Sequence, residues 1–354
     1  MRKINVLVVD DSAFIRKMII DILSLDNEVT VADVAKNGKE ALEKLNKNKD
    51  IDVVTLDVEM PIMDGIQTLK EIMQKNPIPV VMLSSLTKSG ADLTIQALNI
   101  GAVDFLTKPS NIFKINSDEM KSLIIDKVKI ASKIKVSKNV IKKDIVYNDK
   151  GYIKKISTAS NDVVENIVAI GTSTGGPRAL QQVVPNISPN IKAPIVIVQH
   201  MPPGFTKSLA DRLNQISKIE VKEAEHGEIL KNGVGYIAPG DKHMNFEKRG
   251  KDIKIVLNDG SKVSGHRPSV DSMFLSLSKL DFNKVICVLM TGMGADGALG
   301  MKELKKKPNV VSIAEDESTC VVFGMPKSAV NLGVVDSVLK LNQISSEINM
   351  LMGV

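Results

Sequence analysis

Ser173 stands in Gly171-Thr172-Ser173-Thr174-Gly175-Gly176-Pro177, between an apolar run and a helical pattern. Glycines permit a tight turn there, and the helix beyond it offers unpaired N–H groups and the positive end of a dipole. Three chemistries use such a turn. A P-loop ends in Gly-Lys-Ser/Thr, and the lysine is absent. A dinucleotide fingerprint needs GxGxxG, and Ser173 takes the second glycine's place. What remains is GxSxG, a serine nucleophile on a strand–helix turn.

A serine hydroxyl needs a base. The histidines are His200, His226, His243 and His266. His200 closes the run Ile195-Val196-Ile197-Val198-Gln199, at the strand-end edge where open α/β sheets bind ligands, and is the candidate base. His226 and His266 lie in polar, glycine-flanked loops. His243, in Gly240-Asp241-Lys242-His243-Met244, is a further candidate for the cleft lining. A buried carboxylate should fix the imidazole tautomer. Asp296 follows Val285–Met290 through Thr291-Gly292-Met293-Gly294-Ala295, and its rival Asp316 follows Val310–Ala314. The order Ser…His…Asp is not that of α/β-hydrolases, trypsin or subtilisin.

A second set of residues suits phosphate chemistry. Asp10 and Asp11 follow the first apolar run, Asp57 ends the third, Ser84 ends the fourth, and Lys108 follows the fifth. Three converging carboxylates repel one another unless a hard cation sits among them, and Mg²⁺ suits such an oxygen-rich site. Singly, each would pass for a helix cap or a solvated charge. Their recurrence at successive strand ends is what points to a site.

These residues require two sheets to position them. The runs Ile4–Val9, Val29–Val34, Val53–Leu56, Pro79–Leu83 and Val103–Leu106 alternate with helical patterns. One of these, Ser12–Leu25, has Phe14, Ile15, Met18, Ile19 and Ile22 at helical spacing. A second alternation starts near Asn166, with strands Ile167–Gly171, Pro194–Gln199, Gly235–Ala238, Val285–Met290 and Val310–Ala314. Its helices are Pro177–Val184, Phe205–Ile216 and Ala295–Lys305. The fold class is α/β, two doubly wound parallel-sheet domains, one flavodoxin-like and one Rossmann-like. The expected boundaries are 1–122 for the first domain, 123–160 for a lysine-rich linker and 161–354 for the second. A helical pattern over Met120–Ile134 leads into the linker.

At 354 residues the chain exceeds a single core, in keeping with two domains. With no Trp, the cores must be aliphatic. The net charge of +6 comes from dispersed lysines without arginine–aromatic clustering, so no nucleic-acid partner is expected. Cys287 sits in an apolar run as a core thiol, and with Cys320 it makes no disulfide or zinc spacing. The N-terminal run meets Asp10 and Asp11 at once, unlike a signal peptide, and no apolar stretch is long enough to span a bilayer. A cytoplasmic protein without direct membrane insertion is expected.

Val8-Val9-Asp10-Asp11-Ser12, Leu56-Asp57-Val58-Glu59-Met60-Pro61-Ile62-Met63-Asp64-Gly65 and Thr107-Lys108-Pro109 resemble a response-regulator receiver domain over roughly residues 3–122. The resemblance implies that Asp57 accepts phosphate from a chemotaxis histidine kinase and that Asp10, Asp11 and Asp57 bind Mg²⁺. It implies a switch in which Ser84 moves toward the phosphoryl group and Phe105 turns inward, with Lys108 paired to phosphate, and a cis Lys108–Pro109 bond. Residues 166–340 resemble chemotaxis protein-glutamate methylesterases. The matching strings are Ile170–Pro177, Val198-Gln199-His200-Met201-Pro202-Pro203-Gly204-Phe205-Thr206, Tyr236–Asp241, Arg267-Pro268-Ser269-Val270-Asp271, Leu289–Gly297 and Gly324-Met325-Pro326. By this resemblance Ser173 is nucleophile, His200 base and Asp296 the orienting acid, with Met293 and Thr174 backbone N–H groups around the oxyanion. Thr172 departs from the small residue the family often has.

The activity so implied is demethylation of glutamate methyl esters, and deamidation of specific glutamines, on methyl-accepting chemotaxis receptors. Hydrolysis needs no cofactor, and the unphosphorylated receiver obstructs the cleft. Two alternatives compete. A transcriptional regulator would need a helix-turn-helix output where a β/α pattern stands, and a catalytically silent module would not need an intact Ser, His and Asp set.

Overall fold

A computed structural model describes residues 2–108, 117–134, 136 and 163–354. The chain divides into two compact units, Met1–Asp149 and Lys150–Val354. The expected linker falls largely outside the described residues, as does the Lys108–Pro109 bond.

In the first unit the strands are β1 (Ile4–Val9), β2 (Val29–Ala35), β3 (Val53–Asp57), β4 (Val80–Ser84) and β5 (Asp104–Thr107). They form one parallel sheet in the order β2-β1-β3-β4-β5. β3 and β4 are buried along their whole length because helices cover both faces, which is why they read as unbroken apolar runs. The helices are α1 (Ala13–Leu23), α2 (Gly38–Lys47), α3 (Gly65–Lys75), α4 (Lys88–Ile100) and α5 (Asp118–Ser132). Ser12 caps α1, its hydroxyl accepting from the Ile15 N–H. The buried stripe of α1 is Met18, Ile19, Ile22 and Leu23. Phe14, expected in that stripe, is 58% exposed, because it lies in the first turn at the open strand-end edge. The boundary drawn at residue 122 cuts through α5. That helix buries Ile124, Val128 and Ala131, so it belongs to the first unit through Ser132.

The second unit has seven strands in one sheet, ordered β14-β13-β12-β6-β7-β9-β8 with every pairing parallel. These are β6 (Asn166–Thr172), β7 (Ile195–Gln199), β8 (Glu220–Glu223), β9 (Val234–Ile237), β12 (Lys284–Leu289), β13 (Val310–Glu315) and β14 (Ser337–Leu339). An antiparallel hairpin, β10 (His243–Arg249) and β11 (Asp252–Asn258), turns at Gly250, whose φ of 62° is left-handed. The helices are α6 (Gly176–Val183), α7 (Phe205–Ile216), α8 (Val270–Leu277), α9 (Ala298–Leu304), α10 (Met325–Asn331) and α11 (Leu341–Leu351). From β6 the chain steps to β7, crosses to the edge strand β8, fills the gap between them with β9, and then returns on the other side as β12. The switch in direction therefore falls between β6 and β12, where doubly wound sheets open a ligand crevice.

Candidate active site and phosphoacceptor cluster

β12, β6 and β7 are neighbours, and their carboxyl ends carry the three residues singled out in the sequence. Backbone bonds continue past the strands: Met290 N donates to Gly171 O at 3.0 Å, Ser173 N to Thr291 O at 3.0 Å, and His200 N to Thr172 O at 3.2 Å. Ser173 thus sits between the loop after β12 and the end of β7. Gly175 has φ 80°, a left-handed conformation, and a Cβ there would lie 2.6 Å from Val321. α6 starts directly after it, with Pro177 in the first turn.

His200 Nε2 lies 2.7 Å from Asp296 Oδ2. Asp296 is 2% exposed and accepts three more bonds, from Ser269 Oγ (2.7 Å), Val270 N (2.7 Å) and Asp271 N (3.0 Å). The last two are N-terminal N–H groups of α8, so the carboxylate sits where a helix favours negative charge. Burial alone would push Asp296 up. The His200 bond and charge, with the Asp271 N–H and Ser269 hydroxyl, outweigh it and hold Asp296 below the usual carboxylate range. Its neighbour Asp271 goes the other way: burial raises it, the Gly300 N–H opposes, and the Asp296 charge adds to the rise. In the familiar triad the acid holds Nδ1. Here it holds Nε2, and Nδ1 has no partner among the described residues.

Asp316, the rival acid, is half-buried and turned to its own loop, accepting from Ser318 N at 2.9 Å. His243 is buried, with Nε2 paired to Ser261 O at 3.0 Å. His226 bonds the backbone of Leu257. Among the described residues, neither is hydrogen-bonded to Ser173, His200 or Asp296. His266, placed by sequence in a polar loop, stacks on His200 with ring centroids 3.8 Å apart and planes 12° from parallel.

Three supporting residues were not legible beforehand. Gln199 donates Nε2 to Ser173 O at 2.9 Å and to His200 O at 3.2 Å, and its Oε1 accepts from Thr172 Oγ1. Thr172, the departure noted above, thereby helps fix the nucleophile turn. Fully buried Glu315 accepts from Thr291 N at 2.8 Å. Thr291 Oγ1 in turn donates to Thr174 O at 2.9 Å and accepts from Val322 N at 3.0 Å, tying the loop after β12 to the serine turn.

Burial pushes the Glu315 carboxyl up, against the pull of the Thr291 N–H. A carboxyl raised in the folded state contributes stability that is present below its unfolded pKa and lost as pH rises through the folded one. Glu315→Gln keeps the acceptor and removes the buried charge. Its melting temperature relative to wild type should therefore rise as pH climbs above the ordinary glutamate range and level off once Glu315 ionises in the folded protein, by about 2–4 °C per kcal/mol relieved. Thermal melts from about pH 4 to pH 8 test this, and a flat difference would refute it.

In the first unit Asp10, Asp11 and Asp57 bring carboxylate oxygens within 4.8 Å of one another. Lys108 Nζ stands 2.8 Å from both Asp10 Oδ2 and Asp57 Oδ2. Burial, with the Asp10 charge adding to it, outweighs Lys108 and pushes the Asp57 carboxyl up to about 6. Ser84 Oγ is buried and donates to Gly90 O at 3.0 Å. Phe105, the expected switch aromatic, is 6% exposed, with Lys127 Nζ of α5 5.5 Å from its ring centroid.

A carboxylate cluster at the ends of a five-stranded parallel sheet, on the same chain as a Ser, His and Asp set, defines a response regulator with an enzymatic output. Residues 6–118 match the response regulator receiver domain and residues 168–348 match the CheB methylesterase. Among curated relatives, protein-glutamate methylesterase/protein-glutamine glutaminase of Oceanobacillus iheyensis is 48% identical over 350 residues, covering 98% of each chain. That of Bacillus subtilis is 45% identical over 351 residues, 98% of this chain and 97% of its own. The crystal structure of the Thermotoga maritima CheB methylesterase catalytic domain, 46% identical, covers 53% of this chain and 97% of its own with a TM-score of 0.50. The chain belongs to the CheB family of protein-glutamate methylesterases/protein-glutamine glutaminases. Among the described residues, no helix is long and apolar enough to cross a membrane.

Proposed function

We propose that Ser173, His200 and Asp296 hydrolyse glutamyl methyl esters, and the amides of specific glutamines, on methyl-accepting chemotaxis receptors in the cytoplasm. The observation that carries this reading is the 2.7 Å bond from a buried Asp296 to His200 Nε2, which leaves Nδ1 for the serine. Ser173 Oγ attacks the ester carbonyl as His200 Nδ1 takes its proton, and Asp296 stabilises the imidazolium. The tetrahedral intermediate collapses and the same proton leaves with methanol, or with ammonia from glutamine. Water then repeats the sequence on the acyl-enzyme and releases glutamate.

The oxyanion is met by backbone N–H groups of Met293 and the Thr174 turn. Gly292 O is pinned by Gly324 N at 3.1 Å and Met325 N at 2.9 Å, which sets the orientation of the peptide preceding Met293. Such a donor is worth about 3–4 kcal/mol in acyl transfer.

In the receiver, Asp57 accepts phosphate from the chemotaxis histidine kinase. The all-oxygen donor set of Asp10, Asp11 and Asp57 fits Mg²⁺, and these residues would hold it. When bound, the ion supplies positive charge for the phosphoryl oxygens. Lys108 offers a second cation, and Ser84 a hydroxyl whose present acceptor is the Gly90 carbonyl. The phosphoryl group on Asp57 carries up to about two negative charges in place of the single carboxylate charge, enough to draw both toward it.

The receiver restrains hydrolysis until it is phosphorylated. A coupling of about 1–3 kcal/mol would change activity roughly 5- to 150-fold. Methanol release from methylated receptor, with and without phosphodonor, tests the whole reading. The isolated residues 163–354 should outpace the unphosphorylated full chain and ignore phosphodonor and Mg²⁺, while full-length Asp57→Asn should stay slow with both present. If the isolated unit is no faster, the receiver acts by promoting activity rather than by restraint.

A further inference from the structure

The bond from Asp296 fixes one atom of the His200 ring and its tautomer, but a single bond at Nε2 leaves the ring free to swing about that contact. What sets the plane is the second imidazole lying 3.8 Å above it at 12°. We infer that His266 is a positioning residue for the hydrolysis, stacking on His200 so that Nδ1 is held toward Ser173. This inference rests on the triad reading given above.

The segment that carries His266 is built to hold one position. Ser264 and Gly265 have φ of 53° and 80°, both left-handed, between Val263 and His266. Those flanking residues exchange both backbone bonds, His266 N to Val263 O at 2.9 Å and Val263 N to His266 O at 3.1 Å. Two left-handed residues closed by a paired bridge carry the signature of a two-residue type I′ hairpin turn. A serine at φ 53° is strained, and its Oγ is anchored at 3.1 Å to Asp271 Oδ2 on α8. On the other side, Arg267 places Nε and Nη2 on Asp241 Oδ1 at 2.9 and 2.6 Å, and Nη1 on Asp259 O and Gly260 O at 2.6 and 2.8 Å. Asp271 also accepts from the α9 Gly300 N–H, and its own N–H is one of the donors to Asp296. The strap is therefore referenced to the same helix end that holds the triad acid. It delivers a flat ring to the base with little freedom of its own.

A stack of this kind acts through shape and planarity, so it predicts a distinctive variant series in the full-length chain. With methylated receptor as substrate, His266→Ala should lower kcat by about 10- to 100-fold, the scale of an ångström-sized misplacement of a reacting group. KM and melting temperature should stay close to wild type. His266→Phe restores a flat ring without a titrating nitrogen and should recover most of kcat, whereas His266→Leu, apolar and bulky but not planar, should not. Wild-type kcat in the alanine variant, a change confined to KM, or equal rates for the phenylalanine and leucine variants would each overturn the inference. Ser173→Ala run alongside separates the two readings. If it stays active, the triad itself is wrong. If it is inactive while His266→Ala is normal, only the stack is refuted.

Discussion

Ser173→Ala should reduce methanol release from methylated receptor by about 10⁶-fold, because members of such a triad act as a unit. The remaining rate should still exceed that in water, since the proposed oxyanion donors around Met293 and the Thr174 turn would survive the change. The fold should survive too. The bonds that shape the turn are backbone bonds, Ser173 N to Thr291 O and Gly176 N to Ser173 O, and alanine makes both. A Cβ built on Gly292 would lie 2.9 Å from the Ser173 Cβ, so the glycine there leaves room for residue 173, and alanine adds no volume. His200→Ala should be comparably damaging. Circular dichroism and thermal melts of each variant would separate lost chemistry from lost structure, and near-wild-type turnover in Ser173→Ala would place the nucleophile elsewhere.

How much of this was legible in the sequence depended on whether a signal was local. The parallel strands read correctly because helices bury both faces, giving unbroken apolar runs such as Ile195–Val198. Their carboxyl ends then located Asp57, Ser173 and His200 without knowledge of strand order. β8 was missed because Glu220-Val221-Lys222-Glu223 is an edge strand with only Val221 buried, so charge masks its pattern. The hairpin β10–β11 mixes Glu247, Lys248 and Arg249 into one strand, and only Gly250 hinted at its turn. His266 shows the other limit. Ser264-Gly265 announces a turn, yet nothing local to it says that the next ring will lie on His200. Gln199 and Glu315 were hidden for the same reason: their side chains act across strands, and register is a property of the sheet rather than of any one run.

Asp296→Asn should lower turnover by about 10⁴-fold, and the hydrogen bonds say why. Oδ1 accepts from Ser269 Oγ and Asp271 N, while Oδ2 accepts from Val270 N and His200 Nε2. Asparagine keeps one acceptor oxygen, and pairing it with Ser269 and Asp271 turns the amide NH₂ toward two groups that donate. The His200 side can be relieved only if Nε2 gives up its proton and accepts from the amide. The proton then moves to Nδ1, the nitrogen that must take the serine's proton, and the base is blocked by its own tautomer. The Val270 N–H loses its acceptor, at a cost of about 1–3 kcal/mol for a buried donor, so a lower melting temperature should accompany the lost activity. Asp316→Asn provides the contrast. That carboxylate serves its own half-buried loop through Ser318, so its loss should change turnover by no more than a few-fold. Nitrogen-15 spectra of labelled histidine should show the His200 proton shifting from Nε2 to Nδ1 in Asp296→Asn and staying in place in Asp316→Asn. The reverse ranking of the two variants in methanol release would transfer the role of triad acid to Asp316.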